Sequence, residues 1–219
     1  MIESPPTGSH GCKCRRARHE TKFIVLTGGP GGGKTAILEM ARRYFCRHVV
    51  ILPETARIIF SGGFPRLSAP FGRRAAQQAI YRVQCELEQM AAHERPAVVL
   101  CDRGTIDGLA IWPGPRREYF EELGTDLERE LARYSAVIHI EVPSSRSMYH
   151  KNGIRRESLA EARAIDQRIK SVWSRHPRHM LVGAEKGFLH KAATAIELLR
   201  NEVPECCRTH LHQDLRALS

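Results

Sequence analysis

Gly28-Gly29-Pro30-Gly31-Gly32-Gly33-Lys34-Thr35 is the stretch on which the reading of the whole chain turns. It fits the pattern GxxxxGK[ST] and stands between an apolar run, FIVLTG at 23–28, and a helical pattern from Lys34 to Cys46. A strand before and a helix after are the context that a phosphate-binding loop requires. Glycines let the backbone fold back and turn several N–H groups toward one phosphate, while the helix N-terminus adds partial positive charge. Lys34 is then placed to reach the β- and γ-phosphates and Thr35 to set its hydroxyl on Mg²⁺, with the backbone from Gly28 to Ala36 as the cradle. ATP, with GTP as the alternative, and Mg²⁺ are the ligands this pattern implies.

Outward from the loop, short apolar runs alternate with longer helical patterns. FIVLTG, HVVIL (48–52), AVVLCD (97–102), AVIHIEV (136–142) and HMLVG (179–183) read as five strands buried on both faces. Helices are expected at 34–46, 71–93, 116–134, 158–174 and 189–202, and the Gly-, Pro- and Ser-containing stretches 61–70, 112–115 and 143–152 as loops. Strand alternating with helix predicts an α/β domain: a five-stranded, mostly parallel sheet with right-handed crossovers and helices on both faces. This domain spans residues 21–204. Residues 1–20, rich in Pro, Gly and charge, are expected as a mobile basic arm, and 205–219 as a C-terminal tail.

The chain has 219 residues, of which 42% are hydrophobic and 26% charged, a composition that supports a full core. It contains no apolar run long enough for a membrane helix. Thirty-four Lys and Arg against twenty-four Asp and Glu leave a net charge of +10, which favours anionic partners. Seven cysteines, scattered and odd in number, do not read as a disulfide framework. With no apolar leader at the N-terminus, a reducing, cytoplasmic setting is expected. Cys12, Cys14 and His19 near one end, and Cys206, Cys207, His210 and His212 near the other, are zinc-ligand types. Neither set has the CxxC spacing of a structural site, so they read as incidental. The segment KCRRAR lacks interleaved aromatics, which argues against stacking on single-stranded nucleic acid.

Asp102 ends the third strand, where a carboxylate commonly serves Mg²⁺. The residue after it is Arg103 rather than a second acid to orient a hydrolytic water, and no NKxD guanine-reading motif is present. The ordered set of phosphate loop, Glu54 after the second strand, Asp102-Arg103 after the third and an Arg-rich segment after the fourth resembles the thymidylate kinase and deoxynucleoside kinase group. More closely, PETARIIFSGG (53–63), CDRGTIDGLAIWPG (101–114) and NGIRRESLAEARAIDQRI (152–169) resemble the AAA-domain family that includes the ribosylnicotinamide kinase domain of the bacterial NAD regulator and the TRPL-translocation-defect proteins. The likeness covers roughly residues 22–203.

This resemblance implies a P-loop kinase with a lid, transferring phosphate from Mg-ATP to a nucleoside, nucleotide or nucleoside-like acceptor. Glu54 matches the carboxylate that takes or orients the acceptor hydroxyl's proton, with Arg57 one helical turn away as its alternative ion-pair partner. Arg103 matches an arginine that touches acceptor or phosphate, against a strand-end pair with Asp102 or Asp107 as the plainer reading. Asp107 is a further candidate for a substrate hydroxyl or metal water. Gln78 and Tyr81, spaced i, i+3, are expected to meet the acceptor from one helix face, and Trp112 either walls the same cleft or merely packs. Arg155 or Arg156 would supply lid charge, and Asp166 is expected to pair with a lid arginine. The competing reading is a nucleotide-loaded switch that binds anionic lipid or a protein partner through its positive surface.

Overall fold

The computed structural model describes residues 14, 18–143, 158–185 and 187–208. Five strands, β1 (Lys22–Thr27), β2 (Val49–Leu52), β3 (Val98–Asp102), β4 (Ala136–Ile140) and β5 (His179–Val182), form one sheet in the order β2-β3-β1-β4-β5. Every pairing is parallel. The chain leaves β1 for strands on one side and later returns to the other, so the crevice beyond the C-terminal end of β1 is the switch point where such folds bind ligands.

Alternation along the strands divides the core in two. Ile24 and Leu26, Val98 and Leu100, and Ile138 and Ile140 face α1 (Lys34–Tyr44) and α7 (Phe188–Glu202), where Ile37, Leu38, Ile196 and Leu199 meet them. Val25, Val99, Cys101 and Val137 face the opposite layer, against Ile106, Tyr134, Ile169 and Trp173. That layer is built from α3 (Pro70–His93), a 3₁₀ turn at Thr105–Ala110, α5 (Leu127–Ala132) and α6 (Leu159–Trp173). Both faces of the central strands β1, β3 and β4 are covered, which is why they read as continuous apolar runs, whereas Leu181 on the edge strand β5 is exposed.

The sequence reading is corrected at four places. The single helix expected at 116–134 is two, α4 (Arg116–Leu123) and α5, because Gly124 takes the left-handed conformation and ends the first. Asp126 then starts the second by accepting the Arg129 N–H at 2.8 Å. A short helix α2 (Thr55–Ser61) fills the stretch between β2 and the expected loop at 61–70, for which no element was expected. Of the expected arm, Cys14 and His19 are buried, Cys14 within the α1–α7 core. Of the expected tail, residues 205–208 form a helical turn, α8, with Cys207 buried. Among the described residues no helix is long and apolar enough to cross a membrane.

Candidate functional site

The loop after β1 turns on glycines with positive φ at positions 28, 31 and 33. The β4 backbone adds a packing constraint: a Cβ at Gly32 would lie 2.7 Å from the Ile140 carbonyl oxygen. Gly33, left-handed at φ 97°, starts α1, and no side chain caps the helix. Its first N–H groups therefore remain available at the loop. Thr35 and Ala36 are exposed in the first turn, whereas Lys34 is buried. Lys34 Nζ donates to the carbonyls of Gly28 at 2.8 Å and Gly29 at 2.9 Å. Burial, helped by the charge of Arg103, pulls this ammonium down to about 8 against the opposing effect of nearby acids.

Two residues that sequence reasoning did not connect to the loop hold it from behind. Asp166 on α6 accepts the Gly29 N–H at 2.6 Å and the Val142 N–H at 3.2 Å, and it pairs with His139 Nε2 at 2.9 Å. Burial raises its carboxyl, but these partners outweigh burial and leave it below the usual carboxylate range. Among the described residues its side-chain partner is His139, and the lid arginines with which a pair was expected lie outside them. Lys191 on α7 donates to the carbonyls of Gly32 at 3.1 Å and Glu141 at 2.8 Å. Asp166 was visible as an acid four residues after Ala162, yet nothing in the chain pointed from position 166 back to position 29.

Across the loop stand Glu54, Asp102 and Arg103. Glu54, at the N-terminus of α2, forms a 2.9 Å ion pair with Arg103 Nε, while Arg103 Nη1 donates to the Gly28 carbonyl at 3.2 Å. Burial pushes the Glu54 carboxyl up, but Arg103, Lys34 and Arg57 together hold it below its ordinary value. The partner of Glu54 is thus Arg103; Arg57 is exposed and acts only through its charge. Asp102 is different: its Oδ1 is buried and has no hydrogen-bond partner among the described residues. Burial, reinforced by Glu54 and Asp107, pushes this carboxyl up to about 6 despite Lys34 and Arg103. Arg103 itself sits at φ 76°, an uncommon conformation for a residue with a Cβ.

Asp107, offered as a substrate or metal-water contact, borders the cavity described below and is also tied into the structure around it. Its Oδ1 accepts from Thr27 Oγ1 at 2.6 Å and Trp173 Nε1 at 2.9 Å, and its Oδ2 accepts the Gly104 N–H at 2.8 Å. These bonds lock the 3₁₀ turn under β1.

Beside Glu54, Asp102 and Arg103 opens a cavity of about 360 Å³, bounded on its far side by α3. Arg73, Gln77, Tyr81 and Gln84 of α3 line it, together with Phe60 and Arg66 from outside that helix. The reading of Gln78 is corrected: it does not line the cavity, and its amide donates to Glu122 at 2.6 Å. The residue one position earlier, Gln77, is buried and faces the cavity. Tyr81 presents its ring while its hydroxyl donates to Glu130 at 2.7 Å. Of the two readings of Trp112, the structure shows packing, edge-on against Tyr119 at 5.2 Å between ring centroids. Arg155 and Arg156 lie outside the described residues.

A family model described as an AAA domain matches residues 23–187, which include the loop, Glu54, Asp102, Arg103 and Asp166. No curated protein matches the chain. Among solved structures, the crystal structure of the NadR protein in complex with NR is similar, with a TM-score of 0.63 at 15% sequence identity. The match covers 84% of this chain and 52% of that one, so this chain spans about half its length. At this identity the likeness is one of fold: a five-stranded parallel sheet with helices around it and a phosphate loop after the first strand.

Proposed function

The chain belongs to the AAA-domain family, and from that premise we propose that it is a Mg-ATP-dependent kinase whose acceptor is the hydroxyl of a nucleoside, a nucleotide or a nucleoside-like metabolite. The observation that carries the reading is the Glu54–Arg103 ion pair, set beside the phosphate loop at the mouth of a cavity large enough for a small molecule. A transferase needs room for an acceptor beside the phosphate loop, and this cavity supplies it.

Phosphoryl transfer asks a protein chiefly to align the acceptor and stabilise spread negative charge. The uncapped N–H groups of α1 and the Lys34 ammonium suit the phosphates, to which Lys34 turns from the carbonyls of Gly28 and Gly29. Thr35 and Asp102 suit Mg²⁺, because the partnerless Oδ1 of Asp102 is an anionic oxygen held out of water for a cation to satisfy. Bound there, Mg²⁺ would neutralise phosphate charge. Glu54, ionised by its neighbours, accepts the hydrogen bond of the acceptor hydroxyl and orients it. Arg103 binds oxyanion through its planar fork, and it is already fixed between Glu54 and the Gly28 carbonyl. Tyr81 and Phe60 offer ring faces, and Gln77 an amide, to a flat acceptor. The similar NadR structure holds NR, which supports an acceptor of this class.

The test is purified protein with Mg-ATP, and separately Mg-GTP, against nucleosides, nucleoside monophosphates and nicotinamide riboside, following diphosphate release and phosphorylated product. Release that depends on one acceptor and is lost in Glu54→Gln is the expected outcome. Tight nucleotide binding with no acceptor dependence across the panel would overturn the kinase reading in favour of a nucleotide-loaded switch.

A further inference from the structure

At the opposite end of the sheet from the phosphate loop, four side chains meet that are far apart in sequence. Cys14 and His19 precede β1, His48 precedes β2 and Cys207 belongs to α8. All four are buried, and their ligand-type atoms lie within 4.8 Å of one another. His19 Nε2 is 3.7 Å from Cys14 Sγ and 3.9 Å from Cys207 Sγ, and His48 Nδ1 is 3.3 Å from Cys207 Sγ. A tetrahedral ion with Zn–S about 2.3 Å and Zn–N about 2.0–2.1 Å has N-to-S edges of about 3.6 Å. The observed separations lie on both sides of that edge.

We propose that Cys14, His19, His48 and Cys207 form a structural Zn²⁺ site that ties the two ends of the chain to the bottom of the sheet. The donor set is two sulfurs and two imidazole nitrogens, and tetrahedral S₂N₂ is a set that selects zinc. Two thiolates and two neutral imidazoles around Zn²⁺ sum to zero charge, which suits four buried ligands of which Cys14 and Cys207 belong to the apolar core. All four ligands come from the protein and leave no open position, as structural rather than catalytic sites require. The backbone also fixes three of them. The His19 N–H donates to the Arg95 carbonyl at 2.9 Å, the His48 carbonyl accepts from Ala97 at 2.8 Å and Val98 at 3.1 Å, and the Cys207 N–H donates to the Pro204 carbonyl at 2.8 Å. The reading of Cys14 and Cys207 as incidental tail residues is thereby replaced. The CxxC pattern was the wrong signal, since the fold gathers the ligands across separations of 159 and 188 residues.

The experiment uses the full chain, purified under reducing conditions without a metal-binding tag, and reads metal content by mass spectrometry and the absorption of the cobalt-substituted protein. One zinc per chain is expected, and Co²⁺ should give thiolate-to-metal charge-transfer bands with the visible absorption of a tetrahedral ion. Cys14→Ser and Cys207→Ser should lower zinc affinity at least about tenfold, in line with the sensitivity of metal sites to far milder changes around their ligands. Cys85→Ser, on α3 away from the cluster, should leave it unchanged. Absence of zinc uptake by the folded wild-type chain overturns the proposal, as does a cobalt spectrum without a thiolate band. A Cys14–Cys207 disulfide recovered from protein handled anaerobically would do the same. Should the serine variants fail to fold, the wild-type stoichiometry and cobalt spectrum decide alone.

Discussion

The two ends of the sheet solve opposite problems. At the C-terminal end, Lys34, Glu54, Asp102 and Arg103 crowd around the phosphate loop with charges that balance only in part: Lys34 is pulled down to about 8, Asp102 is pushed up to about 6, and one oxygen of Asp102 has no partner among the described residues. At the N-terminal end, Cys14, His19, His48 and Cys207 close on one another inside an apolar layer. The first arrangement is completed only by something that arrives. The second, once it holds zinc, is complete within the chain. The difference separates chemistry from architecture, and each end should be removable with little damage to the other.

The largest expected effect is at the loop. Lys34→Ala should lower acceptor-dependent transfer by about a thousandfold or more, as loss of a principal charge-stabilising group does. Far-ultraviolet circular dichroism should be unchanged and the thermal midpoint moved only slightly, since relief of the ammonium's burial cost offsets the loss of its bonds to the Gly28 and Gly29 carbonyls. A collapse of the fold would break the separation between the two ends. Glu54→Gln follows, with transfer reduced by about a hundredfold to ten-thousandfold and nucleotide affinity within a few-fold of wild type, measured by titration calorimetry. A loss of nucleotide affinity to match would move Glu54 from the acceptor side to the nucleotide side.

A pH series sharpens the electrostatic half. Asp102 has its folded value above its unfolded one, so in nucleotide-free protein its contribution to stability is full below about 4 and is lost as the pH rises through about 6. Mg²⁺ takes the ionised form, so Mg-nucleotide affinity should fall as the pH drops below about 6, approaching tenfold per unit, and this flank should move in Asp102→Asn. Lys34 has the opposite sign: its folded value is depressed, so its contribution to stability is present above about 10.5 and is lost as the pH falls through about 8. Phosphate takes the ammonium, so affinity should also decline above about 8. A profile flat from 5 to 9 would show that neither group is coupled to the ligand.

The smallest effect concerns one backbone angle. Arg103→Gly should be more stable than Arg103→Ala by about 1 kcal/mol in chemical denaturation, because both lose the pair with Glu54 and only alanine keeps a Cβ at φ 76°. Equal stability would mean that the strand end relaxes freely.

The sheet and the loop were legible because local patterns carry them: apolar runs report strands buried on both faces, and GxxxxGK[ST] reports its own turn. Glu54 and Arg103 were found through the resemblance to the kinase group and Asp102 through its place at a strand end, and the fold gathers all three because the C-terminal ends of parallel strands converge on one crevice. What was not legible depends on rotation and on distance along the chain. Gln78 and Gln77 differ by about 100° around α3, and no repeat in the sequence says which of them faces inward. Gly124 lies within a pattern otherwise able to run from 116 to 134, and its left-handed conformation divides it. Asp166, Lys191 and the four residues of the zinc site are joined only by the fold. Their partners stand so far off in sequence that spacing holds no record of them.

Arg103 also bears on how this chain was shaped. Its backbone adopts a conformation that glycine takes without strain, and its side chain spans Glu54 and the Gly28 carbonyl rather than filling the core. A lineage selected for stability alone would gain by exchanging it. Variants chosen solely for heat resistance should therefore discard it early and lose activity with it.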